Sequence, residues 1–172
     1  MSSSTEPRQG SCEYKDNLEI VMHIPIFVGL PFEPLKVLTY FCKRATFFPG
    51  DIVVHEQEMD PNAYFIISGT VALTLDSSPE NIILEFGEMD FLGALSLFCT
   101  RKRLFTLKAR TKVTCLILPR DKFQKTLEQF PEIGRQIFEA LAKSICRWEA
   151  RLITEHALGC PECRAAIGPT VV

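Results

Sequence analysis

The chain has 172 residues, 47% of them hydrophobic and 23% charged, with a formal net charge of −2. That length and apolar share suit one compact domain with a sizeable core and exclude an intrinsically disordered chain. No apolar run approaches the roughly 18 residues of a membrane-spanning helix, and the Ser-rich opening Met1 to Gly10 lacks the apolar stretch of a secretory signal, so a cytoplasmic location without membrane contact is expected.

In chain order, residues 1–15 read as a flexible tail. Asp16 to His23 follows as a short amphipathic piece stopped by Pro25. Phe32 to Lys43 carries Leu35, Leu38 and Phe41/Cys42 at helical spacing and predicts a helix. From Ala45 the pattern changes. Thr46-Phe-Phe ends at the turn signal Pro49-Gly50-Asp51, and Ile52-Val-Val-His predicts a strand. Met59-Asp-Pro-Asn is a second turn, followed by the strand Ala63-Tyr-Phe-Ile-Ile.

Val71, Leu73 and Leu75 alternate with Ala72, Thr74 and Asp76, the period of a half-buried strand. Asp76 to Asn81 reads as a hairpin loop and Ile82 to Phe86 as the next strand. Two more strands are expected from Thr106 to Arg110 and from Val113 to Leu118. Short strands punctuated by Gly and Pro point to a sandwich or barrel rather than a parallel α/β sheet.

After Pro119 the period becomes helical. Arg120 to Gln129 predicts one helix, and Pro131 with Glu132 suits the first turn of another. Along that second helix Phe138, Leu141, Ile145, Trp148 and Leu152 are spaced 3, 4, 3, 4, the a/d seam of a coiled coil. Two uses of the seam stand side by side: a homodimer interface, or packing on the chain's own barrel. Gly159 is expected to end the helix. The domain is thus expected over 16–158, with 159–172 as a tail.

Charge is unevenly spread. Nine acids and no Lys or Arg occur between Ala45 and Thr100, after which Arg101, Lys102, Arg103, Lys108, Arg110 and Lys112 arrive with no acid among them. Such a block is either a solvated strand face or a local anion site. The mild overall acidity and the sparse aromatics of the block argue against broad nucleic-acid binding.

Seven cysteines (12, 42, 99, 115, 146, 160 and 163) are an odd number in a signal-free chain and do not suggest a disulfide framework. Cys42, Cys99 and Cys115 lie in apolar contexts and are expected to be small buried hydrophobes. Cys160 and Cys163, with His156 upstream, have a spacing that suits zinc or a redox pair, although an idle tail is the simpler reading, and no metal is assigned. His23, His55 and His156 are scattered, and neither a nucleophile elbow nor a Gly-rich phosphate loop occurs. An enzyme is not expected.

Five segments in order carry a resemblance: Phe48-Pro-Gly-Asp-Ile, Ala63-Tyr-Phe-Ile-Ile-Ser-Gly-Thr-Val, Asp90-Phe-Leu-Gly-Ala-Leu-Ser-Leu, Arg103-Leu-Phe-Thr-Leu-Lys-Ala and Leu118-Pro-Arg-Asp-Lys-Phe. Together, over roughly 24–152, they resemble the cyclic-nucleotide-binding domain of catabolite-activator-type regulators, kinase regulatory subunits and gated channels. The resemblance implies a mainly β fold: a double-stranded β-helix, or jelly-roll-like β-roll, with an N-terminal helix and a C-terminal helical segment. It also implies a phosphate-binding cassette with glycine at Gly93, a short helix near Leu95 to Phe98, and a phosphate arginine at Arg103. The implied ligand-contacting positions are Gly93, Ala94, Leu95, Ser96, Arg103, Leu104 and Phe105.

Several positions depart from the family pattern. Ala94 stands where the family has a glutamate that accepts from the ribose, a loss of about 1.5–3 kcal/mol, or roughly ten- to a hundredfold in affinity. Leu104 replaces a small residue, and Gln57 and Met89 replace two turn glycines. The expected function is a regulatory or sensor domain that binds cAMP, cGMP or a related small anion and relays it through the C-terminal helix. The alternative is a degenerate scaffold or oligomerisation module that engages a partner protein. A fragment of a DNA-binding regulator is a third reading, weakened because only fourteen residues follow Leu158.

Overall fold

The computed structural model describes residues 9–156, with side chains described for 12–147 and Ala150. Two helices, α1 (Gln9–His23) and α2 (Phe32–Phe41), precede eight strands: β1 (Lys43–Phe47), β2 (Ile52–Val54), β3 (Asn62–Ser68), β4 (Val71–Thr74), β5 (Leu84–Phe86), β6 (Phe91–Leu92), β7 (Thr106–Ala109) and β8 (Val113–Pro119). A 3-10 turn (Ala94–Leu97) interrupts the strands, and α3 (Arg120–Gln129) and α4 (Ile133–His156) close the described chain. Two four-stranded antiparallel sheets, ordered β1-β8-β3-β6 and β2-β7-β4-β5, face each other as a β-roll.

The apolar run of β3 has a simple cause. Ala63 and Phe65 point to a core shared with the helices, whereas Tyr64 and Ile66 point into the roll between the sheets. Its partner β8 divides likewise, Leu116 and Leu118 toward the helices and Val113 and Cys115 into the roll. A strand buried on both faces needs apolar residues at every position. The helical core gathers Val21, Leu38, Phe123, Ile133 and Ile137, each essentially inaccessible.

Several expectations need correction. The first helix begins at Gln9, inside the segment expected to be a flexible tail. Tyr14 Oη donates to the Lys36 carbonyl at 3.0 Å, and Arg44 Nε donates to the buried Asn17 at 3.1 Å, so α1 is docked on α2 and β1. Strand β4 is buried on both faces, not half-buried. Its outward Ala72 lies between Glu85 and Lys108, whose long side chains flank the small methyl. Ile82 and Ile83 lie outside β5. Cys115 is buried, Cys42 half-buried and Cys99 exposed, so the buried-hydrophobe reading fails for Cys99.

The seam on α4 divides. Leu141 is buried in the chain's own core, in line with Ile133 and Ile137, while Phe138 is 64% and Ile145 38% exposed. The a/d spacing of 3.5 drifts against the 3.6 of a straight helix, and packing on the roll selects the 133-137-141 row instead. The side chains of Trp148, Leu152 and His156, with all of Cys160 and Cys163, lie outside what the structure describes. Among the described residues no helix is long and apolar enough to cross a membrane.

Candidate functional site

Strand β6 ends at Gly93, whose φ of +78° turns the chain into the 3-10 turn Ala94–Leu97. The turn begins one residue earlier than expected and is of the 3-10 type. Leu97 is inaccessible in the helical core, and Phe98 stacks edge-on against Phe123 of α3 at 5.2 Å. Those two anchors fix the turn, leaving Ala94, Leu95 and Ser96 on the wall of a cavity.

Gly93 is also a packing necessity. A Cβ there would come within 2.7 Å of both terminal nitrogens of Arg103 and 2.9 Å of the Asn62 carbonyl oxygen. Real Cβ atoms do not approach so closely, so the guanidinium can lie under the turn only if position 93 has no side chain.

Arg103 is 4% exposed. Its Nε and Nη2 donate to Asp60 Oδ2 at 3.2 and 2.6 Å, and Nη2 also donates to the Asn62 carbonyl. The other carboxylate oxygen of Asp60 accepts from the Asn62 backbone N–H at 3.2 Å and from its Nδ2 at 2.6 Å. A buried guanidinium requires such a partner, and with Ala94 in the glutamate position the acid comes from the turn before β3. Burial and the adjacent Asp60 carboxylate hold the Tyr64 phenol well above its ordinary range.

The cavity measures about 310 Å³, at the small end of the roughly 300–1,000 Å³ of ligand pockets. All seven positions implied by the resemblance (Gly93, Ala94, Leu95, Ser96, Arg103, Leu104 and Phe105) lie on its wall. Leu104 turns outward at 61% exposure, on the rim rather than in the core. The resemblance did not point to the roof, Leu141, Ser144 and Ile145 of α4, nor to Arg101, which the sequence offers only within the basic block read as a strand face or an anion site. The rest of that block is superficial. Arg110 reaches Glu85 at 3.4 Å, both half exposed, and Lys102 and Lys108 are exposed.

Ser96 is 1% exposed, and its Oγ is the one buried side-chain polar atom among the described residues without a hydrogen-bond partner. No cluster of three or more His, Cys, Asp or Glu side chains suited to a metal occurs among the described residues.

A β-roll is the fold anticipated from the five segments, and the comparison with known families agrees on the family and the fold. The family model described as Cyclic nucleotide-binding domain matches residues 44–130, half of the chain. The chain belongs to this cyclic-nucleotide-binding domain family. A CRP-like cAMP-activated global transcriptional regulator of Mycobacterium tuberculosis is 29% identical over 131 residues, which are 75% of this chain and 58% of that protein. The chain therefore spans less than two thirds of that regulator's length.

Among solved structures, the N-terminal domain of a transcriptional regulator from Streptomyces coelicolor superposes with a TM-score of 0.66 at 25% identity, over 77% of this chain and 94% of that one. A regulatory subunit of a cAMP-independent protein kinase A from Trypanosoma brucei shares the fold, with a TM-score of 0.64 at 22% identity, over 78% and 46% of the two chains. The two positions where the resemblance implies turn glycines have the left-handed backbone that glycine favours. Gln57 (φ 63°) and Met89 (φ 72°) are the non-glycine residues with positive φ among those described.

Proposed function

We propose that this cyclic-nucleotide-binding domain is a ligand-responsive regulatory module. A small organic anion enters the cavity between the Gly93–Ser96 turn and α4, and its presence changes how α4 packs on the roll. One observation carries this reading: Leu141, Ser144 and Ile145 line the same cavity as Gly93, Ser96 and Arg103. An occupant would touch α4 directly, so its contacts differ between a closed and an open roof. That difference is what a ligand needs in order to shift a conformational equilibrium.

The relatives make cyclic nucleotides the first ligands to test, and the regulatory activity of a cAMP-activated protein of Mycobacterium tuberculosis gives the class of output. Exposed Phe138 and Ile145 supply apolar surface on α4 through which a second copy or a partner protein would read its position.

The test is hydrogen exchange over α4, with cAMP, cGMP and decanoate each added up to millimolar concentration. A saturable change in exchange at residues 141–147 with at least one of them is the result this reading requires. Unchanged exchange with all three would leave an inert scaffold as the better description.

A further inference from the structure

The wall of this cavity has one uncompensated charge. Arg103 is matched by Asp60 at 2.6 Å, and both side chains are buried. Arg101 lines the same space, half-buried, and makes no ion pair or hydrogen bond among the described residues. Ser96 also borders this space, but its Oγ is buried in the turn and does not face it. Apart from these three, Ser144 is the only polar side chain on the wall, and what remains is hydrocarbon, including Leu73, Phe86, Leu92 and Phe105.

A nucleotide fits that wall poorly. Its purine edge and ribose hydroxyl would leave water without finding partners, because Ala94 offers the ribose no acceptor and the hydrocarbon offers the base none. Each such unpaired group lowers affinity by roughly tenfold or more. A hydrocarbon body loses nothing of that kind and gains from leaving water.

The shape adds a second constraint. A neighbouring cavity of about 270 Å³ shares Phe86, Phe91, Leu92, Ala94 and Ser144 with the first. The methyl of Ala94 thus borders both spaces. The second space is also lined by Asp90 and Arg147, so a hydrocarbon body belongs in the first.

We infer that the cavity takes a carboxylate on a hydrocarbon body, such as a medium-chain acyl anion, with the carboxylate on Arg101 and the chain along the apolar wall beneath α4. This rests on the reading of the cavity as a ligand site. A hydrogen bond to a charged group is the strongest single contact available here, so Arg101 orients the molecule while the apolar wall supplies most of the affinity.

The experiment is calorimetric titration of the full chain with decanoate, decanol and cAMP, decanoate being kept below its micellar concentration. The wild-type protein should bind one decanoate at least about tenfold more tightly than decanol or cAMP, the worth of one charge-assisted contact. Arg101→Gln should bring decanoate down to the level of decanol. Ala94→Glu should abolish decanoate binding by taking up space in the cavity and adding a like charge, with its melting temperature recorded to show that it folds.

Tighter binding of cAMP than of decanoate would overturn this inference while leaving the regulatory reading standing. Decanoate binding indifferent to both substitutions would overturn it as well, since the uptake would then be unspecific. Absence of binding by all three ligands, together with unchanged exchange in α4, would remove both.

Discussion

Arg103 and Asp60 bind each other in the buried floor of the cavity, two opposite charges that neither side can lose cheaply. Removing one partner of a buried pair strands the other and costs about 3–5 kcal/mol. Asp60→Ala is therefore expected to lower unfolding free energy by that amount in urea titration. A loss below about 1 kcal/mol, the range of a surface ion pair, would show that the pair is solvated.

The arginine is legible in the sequence through the resemblance, which the segment Arg103-Leu-Phe-Thr-Leu-Lys-Ala carries. Its partner is not, because Met59-Asp-Pro-Asn signals only a turn, and nothing local connects Asp60 with a residue 43 positions away. Gln57 and Met89 show the reverse case. Both depart from turn glycines, yet the turns persist, because neighbouring strand pairings fix the backbone. The left-handed conformation of a non-glycine residue costs only about 1–2 kcal/mol, and the Met89 N–H still reaches the Ile66 carbonyl at 2.9 Å.

Elements differ in how far their pattern carries. Strands β3 and β8 are legible because unbroken apolar runs between turn signals have few other uses. Helix α3 is found at its expected boundaries, Arg120 to Gln129, with Phe123 and Thr126 as the buried face. The 3-10 turn is harder: four residues carry no period, and its position follows from the anchors Leu97 and Phe98.

For α4 the sequence offers two overlapping stripes, and only packing chooses between them. The inward stripe of Ile133, Ile137 and Leu141 belongs to the fold, and Phe138 does not. Leu141→Ala should cost about 2–5 kcal/mol, as buried leucine truncations do, whereas Phe138→Ala should change monomer stability by no more than about 0.5 kcal/mol. Equal effects of the two substitutions in denaturant titration would contradict this assignment.

At the scale of the whole molecule, the β-roll and its bracketing helices are legible from the five segments, because their order fixes the strand order. The cavity is not. Its wall comes mostly from residues 91–105, but its roof comes from a helix some forty residues later, which depends on how α4 lies.

The domain as a whole also carries a pH signature. Burial pushes the Cys42 thiol from 9.0 up to about 12 and the Cys115 thiol from 9.0 up to about 11. Below pH 9 both are protonated in folded and unfolded chains alike. Above it the unfolded thiols ionise first, so the unfolded state binds fewer protons and stability falls with rising pH. The fall ends near pH 11 for Cys115 and near pH 12 for Cys42. Stability measured from pH 8 to pH 10.5 should decline, and less steeply in the Cys42→Ala/Cys115→Ala protein. Equal slopes would show that the thiols are not desolvated.

The claim on which the rest depends is that one cavity joins the Gly93–Ser96 turn to α4. Methyl NMR with bound decanoate tests it most directly. Magnetisation transfer from a single ligand to the methyl groups of both Ala94 and Leu141 is the predicted result. Transfer to the rim residue Leu104 alone, with Leu141 silent, would contradict the account.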